Sequence, residues 1–120
     1  MIARSTSRTR VNYRALADFR YEIRRFLRRS EDAARREGLE PQHHQLLLAL
    51  KGMPSDAEPT ISTLAERLQI NHNSAVGLVD RLERRGLVSR RRDETDQRRV
   101  LIDLTPSGEA ILHRLSLFHQ

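Results

Sequence analysis

The apolar residues between positions 11 and 37 follow a helical period. They recur three or four residues apart, with mostly Arg and acidic residues between them, which predicts one long amphipathic helix ending at Gly38. A single copy would leave much of this apolar stripe in water, so we expect the helix to pack partly on its own domain and partly on a second copy. The alternative is a helix covered entirely within one subunit. The apolar positions are Leu16, Phe19, Ile23, Phe26, Leu27, Ala33 and Ala34.

Three shorter helices are predicted after it. Pro41 suits the first position of a second helix that continues over residues 42–51, and a loop rich in Pro, Gly and Ser follows. A third helix, residues 60–68, starts at a capping threonine. The fourth helix begins near Asn71 and ends at Gly86, another glycine stop.

Residues 87–92 and 99–104 alternate in polarity and predict two strands around a charged loop. Thr105 and Pro106 then predict the cap and first turn of a fifth helix. A helix, a short turn, a second helix and a hairpin in this order indicate a winged helix-turn-helix. The predicted fold class is therefore mainly α with a small β-hairpin, in the order of four helices, two wing strands and a fifth helix.

The length and composition fit one small domain. The chain has 120 residues, of which 38% are hydrophobic and 32% charged. We expect the domain to span residues 11–120, after a disordered basic arm at residues 1–10. Within it, residues 60–104 form the helix-turn-helix and wing, while residues 11–37 and 105–120 form dimerisation helices.

Several protein classes are disfavoured. No apolar run approaches the ~20 residues that span a bilayer, and the N-terminus lacks the apolar part of a secretory signal, so we expect a cytoplasmic protein.

Without cysteine there is no disulfide or thiolate metal site. The neighbours His43 and His44 point to different faces and His113 and His119 share none, so no metal is predicted. No nucleophile elbow, phosphate-binding glycine loop or carboxylate pair is present, so neither an enzyme nor a cofactor is predicted.

The positive charge favours an anionic partner. The formal net charge is +6 and the isoelectric point about 11.1, a balance typical of nucleic-acid-binding proteins. Residues 1–40 carry +5 and residues 81–120 carry +3, whereas the middle third carries −2. Nearly all of the positive residues are arginines, which suit bidentate contacts to phosphates and bases.

The fourth helix carries the residues that we expect to read bases. At 100° per residue its apolar positions share one face, and its first turn is polar on the other. Asn can pair in a bidentate manner with adenine. The predicted DNA-binding residues on this helix are Asn71, His72, Asn73, Ser74, Gly77, Arg81 and Arg84.

Gly77 and Asp80 need separate explanations. A glycine inside a helix costs about 1 kcal/mol relative to Ala. Because Gly77 is predicted on the outer face, close approach of DNA would explain it, and a merely tolerated glycine is the alternative. Asp80 would repel phosphate, so we expect it to orient Arg84 through an i,i+4 pair.

The charged loop between the strands forms the predicted wing tip. Asp96 can brace the guanidinium of Arg98, which would then project toward a minor groove. Arg90, Arg91, Arg92 and Arg99 are expected to add charge for phosphates. The bland alternative is a solvated hairpin tip of mixed charge.

The same segments resemble the MarR family of bacterial winged helix-turn-helix regulators. The resemblance is carried by TISTLAERL from Thr60, by LVDRLERRGLV from Leu78, and by the wing pattern Asp96-Gln-Arg98 with LTPSG from Leu104. It implies a homodimeric repressor or activator that binds a pseudo-palindromic DNA operator, and we expect a repressor. By position it places Thr60 and Ser62 on phosphates and makes Arg98 the wing arginine.

The resemblance also implies a dimer interface and an effector pocket. Family members carry a longer C-terminal helical region than a chain ending at Gln120, so we expect a short variant without the usual last dimerisation helix. The usual small-molecule effector pocket would then be reduced or absent. An alternative function is a winged-helix protein-interaction module, or antirepressor, that pairs with another regulator. The predicted dimerisation residues are Leu16, Phe19, Ile23, Phe26, Ile111, Leu115 and Phe118.

Overall fold

The computed structural model describes residues 10–116, which form five helices and one two-stranded sheet. The elements follow the predicted order. In chain order they are α1 (Tyr13–Arg36), α2 (Pro41–Lys51), α3 (Ile61–Leu68), α4 (His72–Arg84), β1 (Val88–Arg92), β2 (Val100–Leu104) and α5 (Pro106–Ser116).

Local signals in the sequence set the helix ends. Asn12, Thr60 and Asn71 cap α1, α3 and α4, and each side-chain oxygen accepts from the amide three residues later, at 3.0, 3.2 and 2.8 Å. Such a cap contributes about 1 kcal/mol. Gly38 and Gly86 follow α1 and α4 with φ of 73° and 74°, a left-handed conformation that disfavours other residues. The predicted glycine stops are therefore present.

The core lies between α2, α3, α4, α5 and the hairpin. Leucines dominate it because each helix turns one apolar stripe inward. From α1, only Ala33 and Ala34 are buried. The largest fully buried side chains are Leu39, Leu46, Leu47, Leu64, Leu82, Ile102, Leu115, Val79 and Val88.

Most of α1 extends away from this core. The helix has 24 residues and is therefore about 36 Å long. All its residues from 13 to 29 are exposed, and Phe19 keeps 64% of its surface in solvent. The predicted packing of α1 on its own domain is thus limited to the last turns. The alternative, a stripe covered within one subunit, is wrong.

The structure corrects part of the predicted dimer interface. Ile111 and Leu115 are only 5% and 0% exposed, and they pack in the core of their own domain. Both lie on the inner face of α5, so neither can present its side chain to a partner. Phe118, and residues 1–9 of the predicted arm, lie outside the described residues.

The two strands form an antiparallel hairpin, with Val88 opposite Leu104 and Arg92 opposite Val100. The amide of Ile102 donates to the carbonyl of Pro59 at 2.9 Å, which attaches β2 to the loop before α3. The hairpin is therefore held against the helix-turn-helix along one side.

Thr105 joins the end of α4 to the beginning of α5. Its hydroxyl donates to the Gly86 carbonyl at 2.6 Å and accepts from the Gly108 amide at 3.1 Å, while its own amide donates to the Leu87 carbonyl at 3.2 Å. The contact is close, because a Cβ on Gly108 would lie 2.2 Å from the Leu87 oxygen. Only glycine fits there without movement of the backbone.

Candidate nucleic-acid interface

The turn between α3 and α4 is short and well defined. Gln69 ends α3 in the left-handed region with φ of 57°, and its side-chain amide donates to the Glu66 carbonyl at 2.8 Å. This local hydrogen bond compensates for a conformation that is uncommon for a residue with a Cβ. The turn sets the direction in which α4 leaves α3.

The first turn of α4 presents polar side chains to solvent. His72, Asn73 and Ser74 are all exposed, as the prediction for base contacts requires. Asn71 is exposed too, but its Oδ1 already accepts the Ser74 amide at 2.8 Å. Bidentate pairing with adenine needs both ends of an amide. In this first turn that chemistry is therefore left to Asn73.

Arg81 lies over Gly77 on the outer side of α4. A Cβ built on Gly77 would be 3.6 Å from both terminal nitrogens of Arg81, which is an ordinary contact distance. The protein itself therefore does not require glycine at this position. Close approach of DNA therefore stays a prediction that would explain the glycine at position 77. Arg81 would then lie beside the DNA.

Asp80 does not pair with Arg84 as predicted. It accepts a hydrogen bond from Arg90 of β1 at 2.6 Å, and the other terminal nitrogen of Arg90 donates to Glu83. The hydrogen bond to Asp80 raises the pKa of the Arg90 guanidinium above its usual value. One arginine thus ties the wing to α4, and Arg84 is left exposed in the last turn.

Other wing arginines are also engaged within the protein. Each was predicted to supply phosphate charge, but each makes a contact inside the hairpin or at its edge. Arg91 binds Asp103 at 2.6 Å, Arg99 binds Glu58 and approaches Asp93 at 3.5 Å, and Arg92 donates to the Gln97 carbonyl at 2.9 Å. These contacts stiffen the hairpin and neutralise part of its charge, so the prediction overstated the charge open to DNA.

Arg98 lies at the wing tip and keeps nearly all of its side chain in solvent. Its side chain is 91% exposed, and its Nε donates to Asp96 at 3.2 Å, so the contact predicted between the two is present. The Arg98 amide donates to the same carboxylate oxygen at 3.1 Å. Asp93 begins the loop, and hydrogen bonds from Thr95, chiefly from its backbone amide, lower the pKa of Asp93. The tip is therefore an ordered turn that projects a braced guanidinium.

The predicted phosphate anchors lie at the start of α3. Thr60 is half-buried, and its hydroxyl serves as the cap and donates to the Thr63 hydroxyl at 3.0 Å. Ser62 is exposed. A phosphate could reach Ser62 and the free amides of the first turn, whereas Thr60 acts mainly through the position of that turn.

A groove of about 590 Å³ lies between α1, α2 and α5. Its lining is largely apolar and includes Phe26, Leu27, Leu48 and Leu112 together with His44. The preceding residue, His43, is buried as His44 is, and burial lowers the pKa of His43. No helix within residues 10–116 is long and apolar enough to cross a bilayer.

Comparison with known proteins identifies the fold. A solved structure of a MarR family protein from Bacillus stearothermophilus superposes with a TM-score of 0.75 and 27% identity, over 90% of this chain and 76% of that chain. The S. aureus MepR–DNA complex superposes with a TM-score of 0.70 over 92% and 78% of the two chains; at 24% identity it shows the fold alone. The predicted winged helix-turn-helix is confirmed.

Sequence comparison agrees with the structural match. A relative from Thauera aromatica, assigned as the transcriptional regulatory protein for the hcr operon, is 32% identical over 79 residues. That alignment covers 66% of this chain but 46% of the relative, so the chain spans about half of its length. The relative is a regulator rather than an enzyme, in agreement with the prediction. The sequence model of the MarR family matches residues 37–99, more than half of the chain, and the protein therefore belongs to the MarR family.

Proposed function

We propose that this protein is a homodimeric transcriptional repressor that binds a pseudo-palindromic operator in double-stranded DNA. In each subunit α4 enters the major groove, where Asn73, Ser74 and His72 meet base edges. Arg98 reaches into the adjacent minor groove from the wing. The fold that it shares with MepR, solved as a DNA complex, supports this proposal.

The observation that carries the proposal is the pairing of two exposed features on one rigid frame. The polar first turn of α4 is exposed, and the Arg98 guanidinium is 91% exposed at an ordered tip. Arg90 connects the two elements by binding Asp80 and Glu83 of α4. A solvated tip of mixed charge would need neither this brace nor this connection.

Selection of bound sequences from a random duplex pool tests the proposal. We expect enrichment of two inverted half-sites whose centres lie about one helical turn, roughly 34–36 Å, or a multiple of it apart. Asn73→Ala should retain binding but relax the preference at one base position in each half-site. A pool that returns no shared sequence at physiological salt would overturn sequence-specific binding.

The wing contact is tested with the selected duplex. Arg98→Ala should weaken binding roughly tenfold or more, because the guanidinium is lost from both minor-groove contacts of the dimer. Arg35→Ala on α1 is the matched control, since that side chain is also well exposed, at 60%, and carries the same charge. Equal effects of the two substitutions would mean that Arg98 contributes general charge and no groove contact.

A further inference from the structure

We propose that α1 pairs antiparallel with α1 of a second copy in one register fixed by its charges. The first half of the partner helix then fills the groove between α1, α2 and α5. This inference rests on the proposed homodimer and adds its geometry, and its occupant is a second copy of this chain.

The exposed stripe of α1 has the spacing of a helix-to-helix seam. Leu16, Phe19, Ile23 and Phe26 follow one another at intervals of three, four and three residues, which matches the 3.5-residue period of two helices packed side by side. Their exposed fractions lie between 40% and 64%. A continuous apolar stripe of this kind on a surface marks an interaction site.

The charges beside the seam select an antiparallel pair. Glu22 and Arg29 lie on one flank, each directly before a seam position, while Arg20 and Glu31 lie on the other flank. In an antiparallel pair each flank meets the same flank of the partner. One register places Glu22 opposite Arg29 of the second copy. The same register places Arg20 opposite Glu31, and the two-fold axis of the pair then lies beside Phe26. Two-fold symmetry then gives four ion pairs.

Other arrangements lack this complementarity. A parallel pair would place Glu22 beside Leu27 of the second copy and would form no ion pair on that flank. Within its own helix Glu22 contacts Arg25 at 3.3 Å, but both side chains are about half exposed or more, so that pair is weak. Glu22 is therefore available to the partner.

The groove begins where the seam of α1 ends. Beyond Ser30 the stripe reaches Ala33, which is covered by its own domain. In the proposed register Phe19 and Ile23 of the second copy lie opposite Asp32 and Arg28, beside the part of α1 that lines the groove of about 590 Å³. Leu48, 55% exposed, lies in its lining and would be covered by them.

A charge-swap series measured by sedimentation equilibrium on the full chain tests the register. Glu22→Arg and Arg29→Glu should each weaken dimerisation about tenfold, because symmetry replaces two attractive contacts with two repulsive ones. The double variant should restore the dissociation constant to within about threefold of the original. Arg14→Glu, on the side of α1 opposite the seam, is the matched control and should change little. All these side chains are exposed, so circular dichroism should show unchanged folding.

The outcomes separate the register from the proposed function. A dimer on which the swaps act no differently from Arg14→Glu, or which the double variant does not restore, overturns the register and leaves the homodimer intact. A wild-type monomer at all concentrations overturns both the register and the homodimer in the proposed function. If that monomer sedimented with anionic lipid vesicles, α1 would instead be a membrane-surface helix. DNA binding is measured separately with the selected duplex.

Discussion

Gly77 and Gly86 lie nine residues apart, one inside α4 and one just after it, and their backbones differ. Gly86 has φ of 74°, which a side chain disfavours. Gly77 is helical, and a Cβ there would touch only the flexible end of Arg81, at 3.6 Å. The first glycine after α4 is required by the fold, and the one within α4 is not.

Replacing Gly77 with alanine separates stability from recognition. Gly77→Ala should raise the free energy of unfolding by about 1 kcal/mol, and the Tm by roughly 4 °C, because alanine favours the helix. If DNA approaches this position, the same substitution should weaken binding of the selected duplex about tenfold. Urea denaturation and fluorescence anisotropy measure the two effects.

Gly86→Ala provides the contrast for that experiment. It should lower the free energy of unfolding by about 1 kcal/mol or more, since a Cβ is strained at its positive φ. A Gly77→Ala variant that gains stability and binds DNA normally would show that DNA does not approach α4 there.

His43 is a second residue whose surroundings set a measurable property. It is 5% exposed, and neither ring nitrogen makes a hydrogen bond within the described protein. Burial lowers its pKa below the ordinary 6.5, with Arg81 and Arg85 adding to the effect. Glu40 opposes the shift from 3.9 Å, but its side chain is 76% exposed and its charge is screened.

Stability should therefore fall as the solution becomes mildly acidic. Below pH 6.5 the unfolded chain takes up a proton at His43, whereas the folded chain does not until the pH reaches its lowered pKa. The contribution of His43 to the free energy of unfolding is therefore fully present above pH 6.5 and declines as the pH falls toward the lowered pKa. Urea denaturation between pH 7.5 and 5.5 measures the decline. His43→Leu should reduce it, whereas His72→Leu at an exposed histidine should not. An equal decline in both variants would contradict the assignment.

At the scale of elements, contacts between α4 and the hairpin were the least predictable part of the site. Helical spacing allowed Asp80 to reach Arg84, and no rule of spacing within one element could reveal that Arg90 comes closer. Arg90 lies on a strand, and its distance from α4 depends on how the hairpin packs. Local patterns predicted the caps and glycine stops because those features depend on neighbouring residues only.

Arg90→Ala should weaken DNA binding by loosening the wing from α4. Arg90 contacts carboxylates, so its removal should leave the slope of log K against log salt unchanged. Loss of one phosphate contact in each subunit of the proposed dimer would instead reduce the magnitude of the slope by about 1.8. Arg90→Lys can keep one of the two carboxylate contacts, so its DNA affinity should lie between that of the original protein and that of Arg90→Ala. Arg91→Ala, which breaks only a pair within the hairpin, is the control. A shallower salt slope for Arg90→Ala would show that this arginine binds phosphate.

For the whole molecule, the element order and the exposed first turn of α4 were predictable from periodicity and turn residues. The positive charge available to DNA could not be predicted in the same way. The net charge of +6 describes composition, but several wing arginines form ion pairs within the protein and are not free to contact DNA. Their acidic partners are Asp80, Glu83, Asp103 and Glu58. The burial of Ile111 and Leu115 in their own domain could not be predicted either. Periodicity shows that they share a helix face, but not whether their own core or a second subunit covers that face.

The bonds made by Thr105 constrain how this protein could respond to a signal. They hold Gly86 and Leu87, which connect α4 to β1, against the first turn of α5, and Gly108 leaves no space for sliding. In the proposed homodimer, a change in the angle between the two subunits would therefore be transmitted through α5 as a rigid rotation. In the proposed complex with DNA, α4 and the wing would leave their grooves together, so loss of the operator would be all-or-none in each subunit rather than a gradual loss of single contacts.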